Sequence, residues 1–216
     1  YAEHGLAQEG LALFEQMKTQ CVHPDSVILA SCLKCCGNIG ALEQGREVHL
    51  AITKYGFDGL CNHSFNDCFL SNMSSQNVGN AIIDMYSKCN MLEKARQVFD
   101  ALPKHDITSW NILITGYVQH GLNEEAIECF LCMQDEGLSP DDITFHCVLS
   151  SCSHMGMLDE MQMLYGNMTR KYRINPNLAH YGCMMMAFGN AGHLDKAISV
   201  IKAMPSDYPA VWLALL

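Results

Sequence analysis

Apolar side chains recur every three to four residues along most of the 216-residue chain. The clearest stripe lies at Trp110, Leu113, Ile114 and Tyr117. This i, i+3, i+4, i+7 spacing is typical of one face of an amphipathic helix. Gly121 should end that helix, because glycine takes a positive φ without strain. A second stripe then follows at Leu122, Ala126, Phe130 and Met133.

The pair of stripes repeats along the chain, each time around a glycine or asparagine that separates the two helices. These anchors are Gly5, Gly40, Asn90, Gly121, Gly156 and Gly192. Their successive spacings are 35, 50, 31, 35 and 36 residues. No segment shows the sustained alternation of a β-strand. The pattern predicts an all-α fold, a right-handed α-solenoid of stacked helix-turn-helix repeats of about 31–36 residues.

The repeat boundaries follow from these anchors and divide a single solenoid. They are 1–25 (partial), 26–60, 76–106, 107–141, 142–177, 178–209 and 210–216 (partial). The long interval after Gly40 leaves residues 61–75, rich in serine and asparagine, as an inserted loop. A surface loop of this length is tolerated, because the entropy cost of loop closure grows slowly with length.

The net charge of −10 comes from one central block of the chain. Residues 105–169 contain ten aspartates and glutamates and no lysine or arginine, and the remainder is neutral. Affinity for nucleic acid comes largely from lysine and arginine that neutralise phosphates. The acidic block therefore argues against simple phosphate-driven binding of nucleic acid.

Motifs that could carry chemistry are weak. The two C-x-x-C pairs, Cys32 with Cys35 and Cys129 with Cys132, fall within helical stripes, whereas a structural zinc site needs four convergent ligands. We interpret them as reduced, packed thiols and predict no metal site. No Gly-rich phosphate loop, nucleophile elbow or zinc-deaminase signature is present, so we expect neither an enzyme nor a cofactor. No apolar run approaches the ~18–20 residues that cross a bilayer, so we expect no membrane insertion.

Five segments of the chain carry a family resemblance. They are GALEQGREVH (40–49), NVGNAIIDMYSKCNMLEKARQVFDALPKHD (77–106), ITSWNILITGYVQHGLNEEAIECFLCMQDEGLSPDD (107–142), ITFHCVLSSCSHMGMLDE (143–160) and AHYGCMMMAFGNAGHLDKAISVIKAMP (179–205). Together they resemble pentatricopeptide repeat (PPR) proteins, specifically the plant PLS-type subclass that alternates long, short and standard motifs. AVWLALL (210–216) is similar to the first helix of the carboxy-terminal extension that follows the last short repeat in this subclass. The resemblance therefore implies that the chain is truncated before any deaminase domain.

The resemblance implies sequence-specific binding of single-stranded RNA in a mitochondrion or chloroplast, as a non-catalytic adaptor in RNA editing or processing. Each repeat is expected to read roughly one base with two or three side chains. One reader stands early in the first helix of the repeat and the other is its last residue. The implied base-reading residues are Asn80, Asp106, Asn111, Asp141, His146 and Asn177. The implied base-packing residues are Asn77, Thr108 and Ile143.

Two neighbouring repeats imply a weak preference for two adjacent uracils. In the family's code, asparagine with aspartate favours uracil, and the pairs are Asn80 with Asp106 and Asn111 with Asp141. An amide supplies both a donor and an acceptor, which suits a pyrimidine edge. His146 with Asn177 implies no clear base. From the residues alone, the same polar side chains also fit a merely solvated helix face.

A scaffold that binds proteins within an organellar assembly remains the alternative function. The resemblance places the acidic block on second helices, which would form the convex surface, and protein partners could bind there. Partners could also bind the open ends of the solenoid, where apolar residues such as Leu13 and Trp212 lack a neighbouring repeat. Basic residues on the first helices would favour RNA, and an apolar surface there would favour the scaffold.

Overall fold

The structure is a computed structural model that describes residues 7–20, 24–55 and 72–205. These ranges contain the helices α1 (Ala7–Thr19), α2 (Ser26–Ile39), α3 (Leu42–Tyr55), α4 (Asn72–Lys88), α5 (Leu92–Ala101), α6 (Ile107–Gln119), α7 (Asn123–Asp135), α8 (Asp142–Met155), α9 (Leu158–Arg170), α10 (Leu178–Asn190) and α11 (Leu194–Ala203). No strand occurs in the described ranges. The predicted all-α fold is confirmed. We call α2, α4, α6, α8 and α10 the first helices, because each opens a predicted repeat, and the others the second helices.

The turns between paired helices use the anchor residues that the sequence pattern singled out. Gly40, Gly121, Gly156 and Gly192 all have a positive φ, between 68° and 75°. Asn90 takes the same conformation at φ 59°, which asparagine tolerates better than most residues with a Cβ. The first helix therefore stops at the same place in each of these repeats, and the second helix starts within three residues.

The first compact unit runs to His120. Its first helices lie side by side, α2 against α4 and α4 against α6, and the second helices α3 and α5 each contact the first helix on either side. Leu29, Leu33 and Ile82 are fully buried between them. Close approach depends on small residues, because a methyl group at Gly116 of α6 would lie 2.8 Å from Ser87 Oγ of α4.

The second compact unit begins at Gly121. Its central helix α8 packs against α7, α9 and α10, and α10 also contacts α9 and α11. Phe145, Val148 and Leu149 of α8 have no exposed surface, so this helix forms the core of the unit. In both units, therefore, each helix pair buries its apolar stripes against the next pair along the chain.

The predicted inserted loop, 61–75, overlaps the start of helix α4. Helix α4 begins at Asn72, so the last four residues of that segment form the first turn of a helix. Residues 56–71 lie outside the described residues, as do 1–6, 21–23 and 206–216. Serine and asparagine are poor residues for a helix interior but suit a first turn, so a segment rich in them is compatible with the start of a helix as well as with a loop.

Candidate nucleic-acid interface

The first helices α4, α6 and α8 each expose a side chain three residues before their predicted base reader. Asn77 of α4 and Thr108 of α6 are exposed, and Ile143 of α8 is 52% exposed. Residues at i and i+3 are neighbours on one helix face. The predicted packing residue and the predicted reader of each repeat therefore share one face, near the amino end of the helix.

Asn80 of α4 is buried, and its side-chain oxygen is unusual. The residue is 6% exposed, and its Oδ1 has no hydrogen-bond partner among the described residues. An unpartnered buried oxygen costs roughly 1–3 kcal/mol relative to a satisfied one. Four other buried polar atoms of the described residues also lack a partner, but among these orphans Asn80 is the one predicted to read a base, and it carries an acceptor that a ligand could satisfy.

Asp106, the predicted partner of Asn80, is the N-cap of α6. Its Oδ1 accepts a hydrogen bond from the Ser109 backbone N–H at 2.7 Å, and the Ser109 hydroxyl accepts one from the Asp106 N–H at 2.8 Å. The preceding His105 stacks on Phe99 with ring centroids 4.0 Å apart and bonds the Phe99 carbonyl through Nε2 at 3.0 Å. These contacts fix the turn that holds the Asp106 carboxylate, whose second oxygen does not take part in the cap.

Asn111 belongs to the first compact unit and Asp141 to the second. Asn111 of α6 is 7% exposed, as buried as Asn80 in the preceding repeat. Asp141 is the N-cap of α8, and its Oδ1 accepts from the Thr144 N–H at 2.9 Å and from the Thr144 hydroxyl at 2.8 Å. The asparagine of each pair therefore lies on a first helix, and the aspartate lies at the turn where the next first helix begins.

The third predicted pair differs from the other two. His146 of α8 is exposed, unlike the two buried asparagines. Asn177 is the N-cap of α10 and accepts from the backbone N–H groups of Ala179 at 3.0 Å and His180 at 3.3 Å. The His146 ring meets the His180 ring edge-on, with centroids 6.3 Å apart.

Positive charge is scarce on the described first helices. Lys34 of α2 and Lys88 of α4 are their only lysines or arginines. Lys88 Nζ already lies 2.8 Å from Asp84 Oδ2 and donates to Asn38 Oδ1 at 3.3 Å. Most acids of the central block lie on the second helices α7 and α9, where the sequence placed them. The first helices therefore neither repel phosphates strongly nor offer them many partners.

The described residues contain neither a metal-binding cluster nor a membrane-spanning helix. No group of three or more histidine, cysteine, aspartate or glutamate side chains converges there to hold a metal ion. None of the helices in that part of the chain is both long enough and apolar enough to cross a bilayer.

Comparison with known families identifies the repeats. A model of the PPR repeat matches residues 1–22, 80–107, 143–172 and 179–208, and a model of the PPR repeat family matches 105–154. These matches cover more than half of the chain. The chain belongs to the pentatricopeptide repeat family.

Curated relatives of this PPR chain include two proteins of Arabidopsis thaliana. They are the chloroplastic pentatricopeptide repeat-containing protein CRR2 and the putative mitochondrial pentatricopeptide repeat-containing protein At3g11460. They are 36% and 38% identical to it over 100% of the chain. The chain spans only 31% and 32% of their respective lengths, which is about a third.

Solved structures confirm the PPR fold. The pentatricopeptide repeat protein PPR10 from maize matches 94% of this chain with a TM-score of 0.63 and 20% identity. PPR10 in complex with an 18-nt psaJ RNA element matches 94% with a TM-score of 0.71 and 22% identity. This chain corresponds to 28% and 27% of those two chains.

Sequence reasoning missed that the last residue of each of several predicted repeats also caps the next helix. Asp25, Asp106, Asp141 and Asn177 are all N-caps. The signal was present, because Asp106 and Asp141 are followed three residues later by Ser109 and Thr144, whose hydroxyls complete a reciprocal capping box. The burial of Asn80 and Asn111 had no sequence signal, since it depends on how closely neighbouring first helices pack.

Proposed function

We propose that this PPR chain binds single-stranded RNA along its first helices and serves organellar RNA editing or processing as a non-catalytic adaptor. Asn80 is the observation that carries the proposal. Its Oδ1 is buried without a partner, one helical turn from the exposed Asn77. The N3–H of uracil is a donor that could satisfy this oxygen while the base packs against Asn77. The crystal structure of a relative in fold, PPR10 with an RNA element, supports the same class of ligand.

The finer features of the proposal follow the family pattern. Asn80 with Asp106 would read one uracil and Asn111 with Asp141 an adjacent one, and His146 with Asn177 would add little discrimination. Asn77, Thr108 and Ile143 would pack against the bases. The repeats would follow the PLS-type alternation of long, short and standard motifs. The organelle would be a mitochondrion or a chloroplast, because one relative is named mitochondrial and another chloroplastic.

Asn80→Ala tests base reading in the first helix α4. The substitution removes a buried oxygen that forms no hydrogen bond among the described residues, which offsets part of the packing lost with the side chain, and urea unfolding of the variant measures the remaining change in stability. Fluorescence anisotropy should compare short single-stranded RNAs that carry two adjacent uracils with RNAs in which either uracil is replaced by adenine. Asn80→Ala should weaken binding to the uracil RNA by roughly 1–3 kcal/mol, by analogy with other base-edge contacts, and should abolish discrimination at one position.

Asn111→Ala should abolish discrimination at the other uracil. Each variant is measured with each of the two substituted RNAs, so that the loss of discrimination can be assigned to one residue and one base. The matched control is Gln97→Ala, which removes an exposed amide from the second helix α5. Loss of affinity that does not depend on the base, or equal loss in the control, would contradict base reading by the first helices.

The scaffold alternative has its own supporting observation. Three first helices, α2, α8 and α10, expose large apolar side chains, which suit protein contacts better than a phosphate backbone. The most exposed are Val27 at 70%, Ile143 at 52%, and Ile39 and Met186 at 43% each. If no single-stranded RNA binds the purified chain at low ionic strength, the scaffold becomes the better account.

A further inference from the structure

The surface of the second compact unit contains an apolar cleft between the second helices α7 and α9. Its volume is about 140 Å³. Phe130 of α7, Phe145 of α8 and Tyr172, which follows α9, form an aromatic floor, with ring centroids 6.0 Å and 5.3 Å apart in turn. Gln134 Nε2 donates to the Tyr172 hydroxyl at 2.8 Å and so fixes the side of the cleft. The cleft is therefore formed by packed and hydrogen-bonded side chains.

Two large apolar side chains stand exposed on either side of the cleft. Leu131 of α7 is 53% exposed and Met163 of α9 is 60% exposed, and both line it. Methionine is flexible and polarisable, and it is frequent on surfaces that bind varied peptides. Paired exposed apolar residues around a shallow aromatic floor suit the apolar face of a helix laid into a groove.

Acidic residues flank these apolar side chains at helical spacing. Along α7, Glu124, Glu128, Leu131 and Asp135 are separated by four, three and four residues, so they share one face. Along α9, Asp159 and Glu160 lie one turn before Met163. Glu128 and Glu160 form no ion pair with another described residue. A partner that covers Leu131 and Met163 therefore also meets unpaired negative charge.

The cleft also has a smaller basic end. Arg170 and Lys171 close α9, and Lys171 Nζ lies 4.8 Å from the centre of the Tyr172 ring. The negative charges stand one turn before the exposed apolar residues of both helices, whereas the positive charges stand only at the end of α9. An occupant with lysine or arginine on the flanks of its apolar face would match this arrangement, and an acidic occupant would be repelled.

We propose that the cleft between α7 and α9 binds a basic amphipathic helix from a partner protein. The apolar face of that helix covers Leu131 and Met163, and its lysine or arginine side chains meet Glu124, Glu128 and Glu160. The binding surface lies on second helices, so it is separate from the first-helix face proposed for RNA. The same chain can thus hold a partner and RNA together.

The test uses the full chain and two synthetic peptides that differ only in charge. One peptide is a helix with leucine and phenylalanine on one face and lysine on the other, and the second has glutamate in place of lysine. Fluorescence anisotropy should show saturable binding of the lysine peptide and binding of the glutamate peptide that is at least about tenfold weaker. Raising the ionic strength should reduce this difference. Equal binding of both peptides, or no saturable binding of the lysine peptide, overturns the proposal.

Substitutions locate the site. Leu131→Glu and Met163→Glu should each weaken binding of the lysine peptide about tenfold, and because both side chains are largely exposed the fold should tolerate them. The matched control is Leu50→Glu, which changes a 71% exposed leucine on another second helix, α3. If Leu50→Glu weakens binding as much, the peptide binds exposed apolar residues without preference and the cleft is not the site.

Competition with RNA tests independently whether the peptide and RNA bind separate surfaces. Direct binding of the lysine peptide to RNA is first measured without the chain and subtracted. Saturating single-stranded RNA should then leave binding of the lysine peptide to the chain unchanged, and Met163→Glu should leave RNA binding unchanged. If RNA displaces the peptide, the peptide occupies the first-helix face and the assignment to the α7–α9 cleft is wrong. If the chain binds the peptide but no RNA, the cleft stands and the proposed RNA function fails, so the two proposals are separable.

Discussion

His180 of α10 bonds the backbone of Asp142, which opens α8. The ring Nε2–H donates to the Asp142 carbonyl at 2.9 Å, and the ring Nδ1 accepts from the Asn177 N–H at 3.1 Å. A carbonyl only accepts and a backbone N–H only donates, so the imidazole is neutral with its proton on Nε2. One buried side chain thus joins two first helices and completes the capping box of α10.

Acidification should destabilise the second unit through His180. Burial lowers the pKa of His180 below its usual 6.5 and outweighs the hydrogen bond to the Asp142 carbonyl, which raises it, while the neighbouring His146 lowers it further. Below about pH 6.5 the unfolded chain takes up a proton that the folded chain resists, so stability falls as the pH drops toward the lowered pKa. Urea unfolding monitored by circular dichroism across this pH range measures the effect.

His180→Gln is the comparison that isolates this histidine from the nine others. Glutamine can still donate to the Asp142 carbonyl but does not titrate. We expect the stability advantage of the wild type over the variant to shrink between about pH 7.5 and about pH 5.5. A difference that is constant with pH would mean that His180 does not change its protonation on unfolding.

Two glycine substitutions should have opposite effects. Gly116→Ala places a methyl group 2.8 Å from Ser87 Oγ and 2.9 Å from Ser87 Cβ, so α6 and α4 must separate, at a cost of roughly 1–3 kcal/mol. Gly182→Ala in α10 meets no atom within 4 Å, so it should stabilise the chain by about 0.5–1 kcal/mol through helix propensity. Thermal unfolding of both variants checks the pair, and destabilisation by Gly182→Ala would show that α10 packs more closely than described.

Substitution of Asp106 should separate helix capping from base reading. Asp106→Ala removes the acceptor for the Ser109 N–H and should cost about 1 kcal/mol of stability. Asp106→Asn keeps a capping oxygen, so stability should change by less than about 0.5 kcal/mol. If Asp106 reads a base, the asparagine variant should still alter the relative affinity for RNAs that differ at one uracil. Unchanged relative affinity would leave Asp106 with a capping role only.

Native-state thiol labelling should follow burial. Burial raises the pKa of Cys32 and Cys36 to about 12, and that of Cys152 and Cys183 to about 11. Since the thiolate is the reactive form, these thiols should be alkylated slowly at neutral pH. Among the cysteines that the structure describes, Cys89 and Cys132 are only half-buried and should react first. Mass spectrometry of labelled peptides, with a urea-unfolded control, measures the order, and rapid native labelling of Cys32 would contradict it.

The helix pattern was predictable from sequence because it rests on local chemistry. The stripe from Trp110 to Tyr117 lies in α6, and Gly121 takes the left-handed conformation that its position required. The start of α4 was not predictable in the same way. Its first turn contains serine and asparagine, whose presence in a loop or in a helix amino end depends on the apolar stripe that follows.

The candidate interface was less accessible to sequence reasoning. The sequence places Asn80 and Asn111 on polar faces, yet both are largely buried, because first helices pack so closely that short side chains are covered. The cleft between α7 and α9 also escaped notice. Leu131 and Met163 belong to different repeats, and their approach depends on the packing of α8 between the two second helices.

The capping role of the last repeat residue narrows how such a repeat could be re-engineered. A residue placed at Asp106, Asp141 or Asn177 must start a helix, and only a few short polar side chains do so well. If these positions also read bases as proposed, exchange among aspartate, asparagine, serine and threonine would change specificity at little cost in stability. Larger side chains at this position would lower the stability further with each repeat altered. Only a few residue types would therefore be available at this position in a chain redesigned to bind another RNA.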